Sequence, residues 1–110
     1  MDLNEYHKKA EEFARYLSPA YPFYGLAEEA GEVLGKVAKK ARKAVFSHPL
    51  YDMTDEERAD IAKELGDVLW MVQACCTQLQ YSLNEVAVMN LKKLRSRQER
   101  GVIVGEGDNR

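Results

Sequence analysis

The sequence lacks the features of a membrane protein, a secreted protein or a general nucleic-acid-binding protein. No run of about 18 apolar residues occurs, so we expect no transmembrane helix. The N-terminus is acidic and polar and has no apolar signal-peptide segment. A formal net charge of −2 argues against affinity for nucleic acid. We therefore expect a cytoplasmic protein that binds neither membranes nor nucleic acid.

Cysteine and histidine are also scarce. The two cysteines, Cys75 and Cys76, are adjacent in a helical pattern, so they neither pair readily with each other nor form a zinc motif. Reduced thiols in the core are the simple interpretation. No glutamate precedes His7 or His48 by three positions, so the Glu-x-x-His signature of di-iron proteins is missing. This argues against a redox-active di-metal carboxylate protein.

No strand pattern and no internal repeat is visible, and apolar residues recur instead at helical spacing. The pattern predicts an all-α bundle of about four helices, one domain over residues 1–110, with an irregular C-terminal tail. The first helix is expected over about residues 4–17, with Asn4 as N-cap, and the second begins near Pro22. Residues 47–53 are predicted to form a loop.

Capping boxes indicate where the last two helices begin. Thr54 with Glu57 opens the third predicted helix, and Ser82 with Glu85 opens the fourth. Residues 101–110 contain too much glycine for a helix and are predicted to form an extended tail or a phosphate-facing loop. The side chains predicted to face the core are Leu26, Ala30, Val33, Val37 and Ala41 in the second helix, Ile61, Leu65, Val68, Leu69, Val72, Cys76 and Leu79 in the third, and Val86, Met89 or Asn90, and Leu94 in the fourth.

The third predicted helix is apolar over a broad arc, which favours assembly into an oligomer. Trp70 and Lys63 lie on a face away from its main stripe. A chain of 110 residues can bury only a modest core by itself, and it gains stability by burying more surface between subunits. We expect a homodimer or a homotetramer.

Two groups of acidic residues at helical spacing are the most informative pattern. Residues 28–32 read Glu-Glu-Ala-Gly-Glu, and residues 64–67 read Glu-Leu-Gly-Asp. Residues three apart share a helix face, about 60° apart around the axis, so Glu29 lies with Glu32 and Glu64 lies with Asp67. Both pairs border an apolar stripe, where a carboxylate is partly desolvated but still reachable. If the two helices pack side by side, the four carboxylates converge.

A cluster of four carboxylates repels itself unless protons or cations neutralise it. Hard oxygen ligands suit Mg²⁺ or Mn²⁺, which makes metal-assisted phosphate chemistry the leading hypothesis. Each motif alone is also common on solvated helices. Lys36 stands four residues after Glu32, and Lys63 four before Asp67, so ordinary surface ion pairs are the alternative.

Cationic side chains follow both motifs. A basic run, residues 36–43, ends the second helix, where it complements the helix dipole or faces an anion. Asn90, Lys93 and Arg97 fall at i, i+3 and i+7 on one face of the fourth helix. They form either a solvated stripe or a group of cations for a polyphosphate.

The chain resembles the MazG-like, all-α nucleoside triphosphate pyrophosphohydrolases, and in particular the small single-domain, phage-type members. The two acidic motifs match the family's EExxE and ExxD pair, and residues 90–97 match its downstream Asn/Lys/Arg segment. The resemblance covers most of residues 22–110. The 31 residues between Glu32 and Glu64 are more than many members have.

The resemblance implies a helical bundle that dimerises or forms a tetramer, with its active site near the subunit contacts. It implies that Mg²⁺, or Mn²⁺ in its place, is held by Glu29, Glu32, Glu64 and Asp67. It also implies that Glu28 helps to orient a water, and that Asn90, Lys93 and Arg97 contact phosphates or sugar. The implied reaction is hydrolysis of a ribo- or deoxyribonucleoside triphosphate to the monophosphate and pyrophosphate, in nucleotide-pool housekeeping.

Two classes of function are compatible with these patterns. The first is a Mg²⁺-dependent hydrolase of phosphoric anhydrides, with direct attack by water, since the sequence suggests no serine–histidine or cysteine–histidine nucleophile pair. The second is a non-enzymatic helical adaptor that binds a partner protein through its acidic and basic helix faces. The sequence leaves the base and the sugar open.

Overall fold

Five helices form the secondary structure of this computed structural model, which describes residues 1–45 and 47–110. They are α1 (Leu3–Glu11), α2 (Tyr21–Lys43), α3 (Pro49–Asp52), α4 (Asp55–Gln78) and α5 (Leu83–Glu99). Within these described ranges there is no strand, and residues 101–110 form an irregular tail. The predicted all-α bundle with an irregular tail is therefore confirmed.

The packing of α2 against α4 is the central contact of the fold. Gly25 lies against Met71, Lys36 pairs with Glu64, and Lys40 pairs with Glu57. Residue numbers rise along α2 as they fall along α4, so the two helices run antiparallel. A Cβ atom on Gly25 would lie 2.5 Å from the Met71 sulfur, so glycine permits the close approach of the helices at this end.

Helix α1 is shorter than predicted. Asp2, and not Asn4, is its N-cap, and the Asp2 carboxylate accepts a hydrogen bond from the Glu5 backbone N–H at 2.9 Å. Beyond Glu11 the backbone changes to i→i−3 hydrogen bonds, which tighten and end the helix. Leu17 consequently lies outside α1 and is fully exposed.

The prediction of a loop over residues 47–53 was wrong, because Pro49–Asp52 forms one short helical turn. The His48 ring nitrogen Nδ1 accepts from the Leu50 N–H at 3.1 Å. The Asp52 carboxylate accepts from the backbone N–H groups of Ser47 and His48, each at 2.7 Å. These side chains accept hydrogen bonds from backbone N–H groups at the start of the turn. Pro49 has no backbone N–H and therefore needs no acceptor there.

Both predicted capping boxes are present. Thr54 and Glu57 exchange side-chain and backbone hydrogen bonds at the start of α4, and Ser82 and Glu85 do the same at the start of α5.

His7 joins three helices, a role that the sequence did not reveal. Its Nδ1 accepts from the Leu83 backbone N–H at 3.0 Å, so the neutral ring carries its proton on Nε2. Nε2 lies 2.6 Å from the Thr77 hydroxyl, which in turn donates to the Glu11 carboxylate. This chain of hydrogen bonds ties α1 to α4 and α5. Cys75 and Cys76 lie nearby in sequence as free, buried thiols.

The core of the single chain is small. Its buried apolar residues are Ala10, Met53, Met71, Ala74, Cys75, Cys76 and Leu83. Several side chains predicted to face inward remain exposed, including Leu65 at 52%, Leu79 at 58% and Met89 at 53%. Trp70, expected on a face away from the main stripe, packs against α1 and donates a hydrogen bond from its indole to the Ala10 carbonyl at 3.3 Å.

None of the helices in the described ranges is both long enough and apolar enough to cross a membrane.

Candidate metal centre

The α2–α4 contact brings three of the predicted acidic residues together. Glu29, Glu64 and Asp67 each offer a carboxylate oxygen, and these oxygens lie within 4.8 Å of one another. Glu64 and Asp67 share a face of α4 because they are three residues apart. The antiparallel helix α2 presents Glu29 to that face. We call Glu29, Glu64 and Asp67 the acidic cluster.

The electrostatics of the acidic cluster show that its charges are crowded. Burial raises the pKa of the Glu29 carboxyl, and the negative charges around it raise this pKa further. These charges belong to Asp67, Glu64, Glu32 and Glu28, in decreasing order of effect. Burial likewise raises the pKa of Tyr6, and the charge of Asp67 adds to the effect. A divalent cation would relieve this repulsion.

Glu32 and Glu28 lie at the edge of the acidic cluster. Glu32 is exposed and is not among the carboxylates within 4.8 Å, because the step of three residues from Glu29 displaces it by about 60° around α2 and about 4.5 Å along the axis. Glu28 is also exposed and accepts a hydrogen bond from the Tyr21 hydroxyl at 2.9 Å. The structure thus brings three of the four predicted ligands together, with Glu32 close enough for its charge to act on Glu29.

Lys36 pairs across the helix contact and not along its own helix. Its Nζ lies 3.1 Å from Glu64 Oε1, whereas the sequence had suggested a pair with Glu32. Within the described residues Lys63 forms no ion pair with Asp67. The surface ion pairs that the sequence allowed therefore do not explain the acidic cluster. The ammonium group of Lys36 instead contacts Glu64, a member of the cluster.

The predicted phosphate-binding residues of α5 contact the C-terminal tail. Lys93 Nζ lies 2.6 Å from Asp108 Oδ1, and Arg97 donates to the same oxygen at 3.0 Å and to the Asp108 carbonyl at 2.8 Å. The hydrogen bond from Lys93, followed by that from Arg97, lowers the pKa of Asp108. Asn90 is exposed, and no hydrogen bond of its side chain is found in the described parts of the chain. The structure therefore groups Lys93 with Arg97, around a carboxylate.

A cleft that the sequence did not reveal adjoins the acidic cluster. It has a volume of about 460 Å³ and lies between α1 and α4. Asp67 belongs both to its wall and to the cluster. The remaining lining residues are Tyr6, Lys9, Ala10, Phe13, Gly66 and Trp70. Three of these are aromatic, so the cleft offers several rings to a flat apolar ligand beside the acidic cluster.

The residues of the acidic cluster suit a hard divalent cation. Carboxylate oxygens are the ligands that Mg²⁺ and Mn²⁺ prefer, and Mg²⁺ usually binds through a few carboxylates together with substrate phosphates. Glu29 and Glu64 are half-buried, while Asp67 is exposed at the cleft. The site is therefore partly desolvated on the helix side and open to a ligand on the other.

Replacing Glu29 with glutamine should stabilise the metal-free protein at neutral pH. Because folding raises the pKa of Glu29, its ionised form opposes folding. This penalty is absent below the unfolded-state pKa and grows as the pH rises through the folded-state pKa. We expect Glu29→Gln to raise the Tm in EDTA at pH 7, and the gain to shrink as the pH is lowered.

Thermal unfolding followed by circular dichroism measures this effect. Glu106→Gln, in the exposed tail, is the control and should leave the Tm unchanged. Added Mg²⁺ should raise the Tm of the parent protein more than that of Glu29→Gln. A variant that melts at or below the parental temperature at pH 7 in EDTA would contradict the crowding of charges at Glu29.

Comparison with known proteins places the chain in a family. The model of the MazG nucleotide pyrophosphohydrolase domain matches residues 20–102, which include α2 to α5 and the whole acidic cluster. The Gene 37 protein of Mycobacterium phage L5 is 45% identical over 91 residues, covering 83% of this chain and 75% of that protein. No solved structure gives a significant match. With its three carboxylates converging inside the matched region, the chain belongs to the MazG nucleotide pyrophosphohydrolase domain family.

Proposed function

We propose that this protein is a Mg²⁺-dependent nucleoside triphosphate pyrophosphohydrolase. It hydrolyses a ribo- or deoxyribonucleoside triphosphate to the monophosphate and pyrophosphate. The observation that carries the proposal is the convergence of Glu29, Glu64 and Asp67 at the α2–α4 contact of a MazG-family chain. The same site takes Mn²⁺ in place of Mg²⁺, because both are hard cations with oxygen ligands.

In the proposed site, Glu29, Glu64 and Asp67 hold the cation, and Glu32 joins them by a rotation of its exposed side chain. When bound there, Mg²⁺ supplies charge neutralisation for the phosphoryl oxygens and a lowered pKa for water. Glu28, fixed by the Tyr21 hydroxyl, orients the attacking water from the edge of the site. Water is the nucleophile in this mechanism, so no covalent enzyme intermediate forms.

The nucleobase lies in the proposed complex within the cleft between α1 and α4. The cleft shares Asp67 with the acidic cluster, so a base stacked there leaves its phosphates at the metal site. Phe13 and Trp70 offer ring faces, and Lys9 stands at the wall of the cleft. Because every base has a flat aromatic face, stacking in the cleft does not discriminate between bases, and any base preference must come from polar groups in the site.

Asn90, Lys93 and Arg97 are the proposed contacts of the phosphates or sugar on α5. Lys93 and Arg97 already hold a carboxylate, that of Asp108, with charge-assisted hydrogen bonds. A phosphate offers the same kind of anionic oxygen. For substrate to bind these two side chains, Asp108 and the tail must give up their contacts.

A panel of ribo-, deoxyribo- and modified nucleoside triphosphates tests the proposed reaction. We expect Mg²⁺-dependent release of pyrophosphate together with the nucleoside monophosphate. Glu29→Gln, Glu32→Gln, Glu64→Gln and Asp67→Asn should each remove most of the activity and retain the helical circular dichroism spectrum. Glu99→Gln, an exposed acid at the end of α5, is the matched control. Parental turnover by Glu64→Gln at saturating Mg²⁺ would show that the metal assignment is wrong.

Replacing Phe13 with alanine tests the position of the base. Phe13 is largely exposed, so the change costs the fold little, but it removes a ring from the cleft. Because base–aromatic stacking contributes about 1–3 kcal/mol, we expect KM to rise about tenfold or more.

Tyr81→Ala is the control for Phe13→Ala, since Tyr81 is an exposed aromatic residue outside the cleft. Affinity for Mn²⁺ measured without nucleotide should be parental in both variants. An unchanged KM for Phe13→Ala across the whole panel would show that the base lies elsewhere.

A homodimer or homotetramer is the proposed assembly. Apolar side chains of α2 and α4 remain uncovered in the single chain, among them Leu34 at 68% and Leu65 at 52% exposure. We expect light scattering at micromolar concentration to give two or four times the chain mass of 12.5 kDa. Leu65→Ser should weaken the assembly, because it removes apolar surface from α4 without adding charge.

Leu17→Ser is the matched control, because Leu17 is a fully exposed leucine outside the helices. It should leave the mass of the assembly unchanged. A parent protein of monomer mass would contradict the proposed assembly.

A further inference from the structure

Lys36 occupies one oxygen of the acidic cluster in the metal-free protein. Its Nζ lies 3.1 Å from Glu64 Oε1, and the side chains are 38% and 19% exposed, respectively. Ion pairs of this exposure contribute little to stability. The pair does, however, place a positive charge on a carboxylate that the proposed function assigns to the cation.

The next ion pair along the same helix contact provides a natural comparison. Lys40 Nζ lies 3.2 Å from Glu57 Oε1, one turn further along α2. The two pairs join the same helices with nearly the same distance. Glu57 belongs to the capping box of α4, however, and not to the acidic cluster. Any effect that Lys36 has and Lys40 lacks therefore arises from contact with the cluster.

The surroundings of the acidic cluster differ at its two ends. Toward the C-terminal end of α4 lies the aromatic cleft, with Asp67 and Trp70 in its wall. Toward the N-terminal end lies a second cavity, of about 350 Å³. Its lining residues are Lys36, Lys39, Lys40, Lys43, Met53, Glu57, Asp60 and Ile61. Trp70 and Asp60 are about 15 Å apart along the helix axis, with Glu64 between them.

The aromatic cleft at one end of the acidic cluster and the lysine-lined cavity at the other match the two ends of a nucleoside triphosphate. A base in the aromatic cleft and an α-phosphate near the acidic cluster direct the β- and γ-phosphates toward the cavity lined by lysines. Lys36 is the lysine of that cavity that touches the cluster. Its flexible stem and compact ammonium group allow it to change partners between nearby anions.

Resting on the proposed function, we propose that Lys36 is the residue of α2 that binds the pyrophosphate half of the substrate. In the metal-free protein it holds Glu64 and competes with the divalent cation for that carboxylate. When the cation and the triphosphate are bound, its ammonium group moves from Glu64 to the β- and γ-phosphate oxygens. After hydrolysis it contacts the pyrophosphate product and not the monophosphate.

Three variants and three probes test this role. Isothermal titration measures the affinity of the parent, Lys36→Met, Lys40→Met and Lys36→Arg for Mn²⁺ alone, for pyrophosphate with saturating Mg²⁺, and for nucleoside monophosphates with saturating Mg²⁺. Circular dichroism confirms that each variant is folded. Lys40→Met removes the same charge and an equivalent ion pair, so it controls for the long-range effect of charge on metal affinity.

We expect Lys36→Met to bind Mn²⁺ about threefold or more tightly than the parent, because Glu64 loses its competing cation. Its affinity for pyrophosphate should fall about tenfold, since a charge-assisted contact to phosphate is lost. Affinity for the monophosphates should be parental. Lys40→Met should bind Mn²⁺ and the monophosphates like the parent, and it should lose less affinity for pyrophosphate than Lys36→Met, because Lys40 lines the lysine cavity but does not contact the acidic cluster. Lys36→Arg should regain most of the affinity for pyrophosphate.

The outcomes separate this inference from the proposed function. If the parent binds Mn²⁺ and hydrolyses a triphosphate, but Lys36→Met and Lys40→Met have the same affinities for Mn²⁺ and pyrophosphate, the role of Lys36 is overturned and the proposed function stands. Equal loss of affinity for pyrophosphate and for monophosphates would also overturn it. If the parent binds no Mn²⁺ and hydrolyses no triphosphate, both proposals fail.

Discussion

Everything at the site depends on the antiparallel contact between α2 and α4. At one end of the contact, glycine at position 25 allows α2 to approach Met71 closely. At the other end, Lys40 binds Glu57 across the helices. Between these points the same contact places Glu29 against Glu64 and Asp67, where burial and like charges raise the pKa of Glu29. The packing at both ends holds together carboxylates that would separate in isolated helices, so the free energy of helix packing keeps the acidic cluster formed against the repulsion of its charges.

The features predicted correctly from sequence are those encoded within a few consecutive residues. The capping boxes at Thr54 and Ser82 fix the starts of α4 and α5, because the residues that exchange hydrogen bonds are three positions apart. The face shared by Glu64 and Asp67 follows from helix geometry alone. To predict that Glu29 joins the cluster, one further assumption was enough, namely that the two long helices α2 and α4 pack side by side.

The features that sequence reasoning missed depend on partners distant in the chain or on local bonds without a simple motif. Helix periodicity gave no sign that Lys36 would prefer Glu64 to Glu32, because that choice depends on the crossing of two helices. The contact of Asp108 with α5 likewise joins a tail to a helix. The helical turn at Pro49–Asp52 is local, yet it depends on the hydrogen bonds that the Asp52 carboxylate accepts. Because proline usually indicates a loop, the sequence did not predict this turn.

The cleft and the lysine-lined cavity lie at opposite ends of the acidic cluster along α4. The hydrophobic pattern of the helix does not show this difference between its two ends. Along this one helix the surroundings change from aromatic side chains through carboxylates to lysines. An apolar ligand alone would gain little at the lysine end, and a bare polyphosphate would gain little at the aromatic end. In the proposed complex, a molecule with a flat ring at one end and several phosphates at the other gains at both, while a bound cation between them offsets the repulsion of the carboxylates. In the proposed complex the intact triphosphate is therefore favoured over either product, since each product retains only one of the two ends.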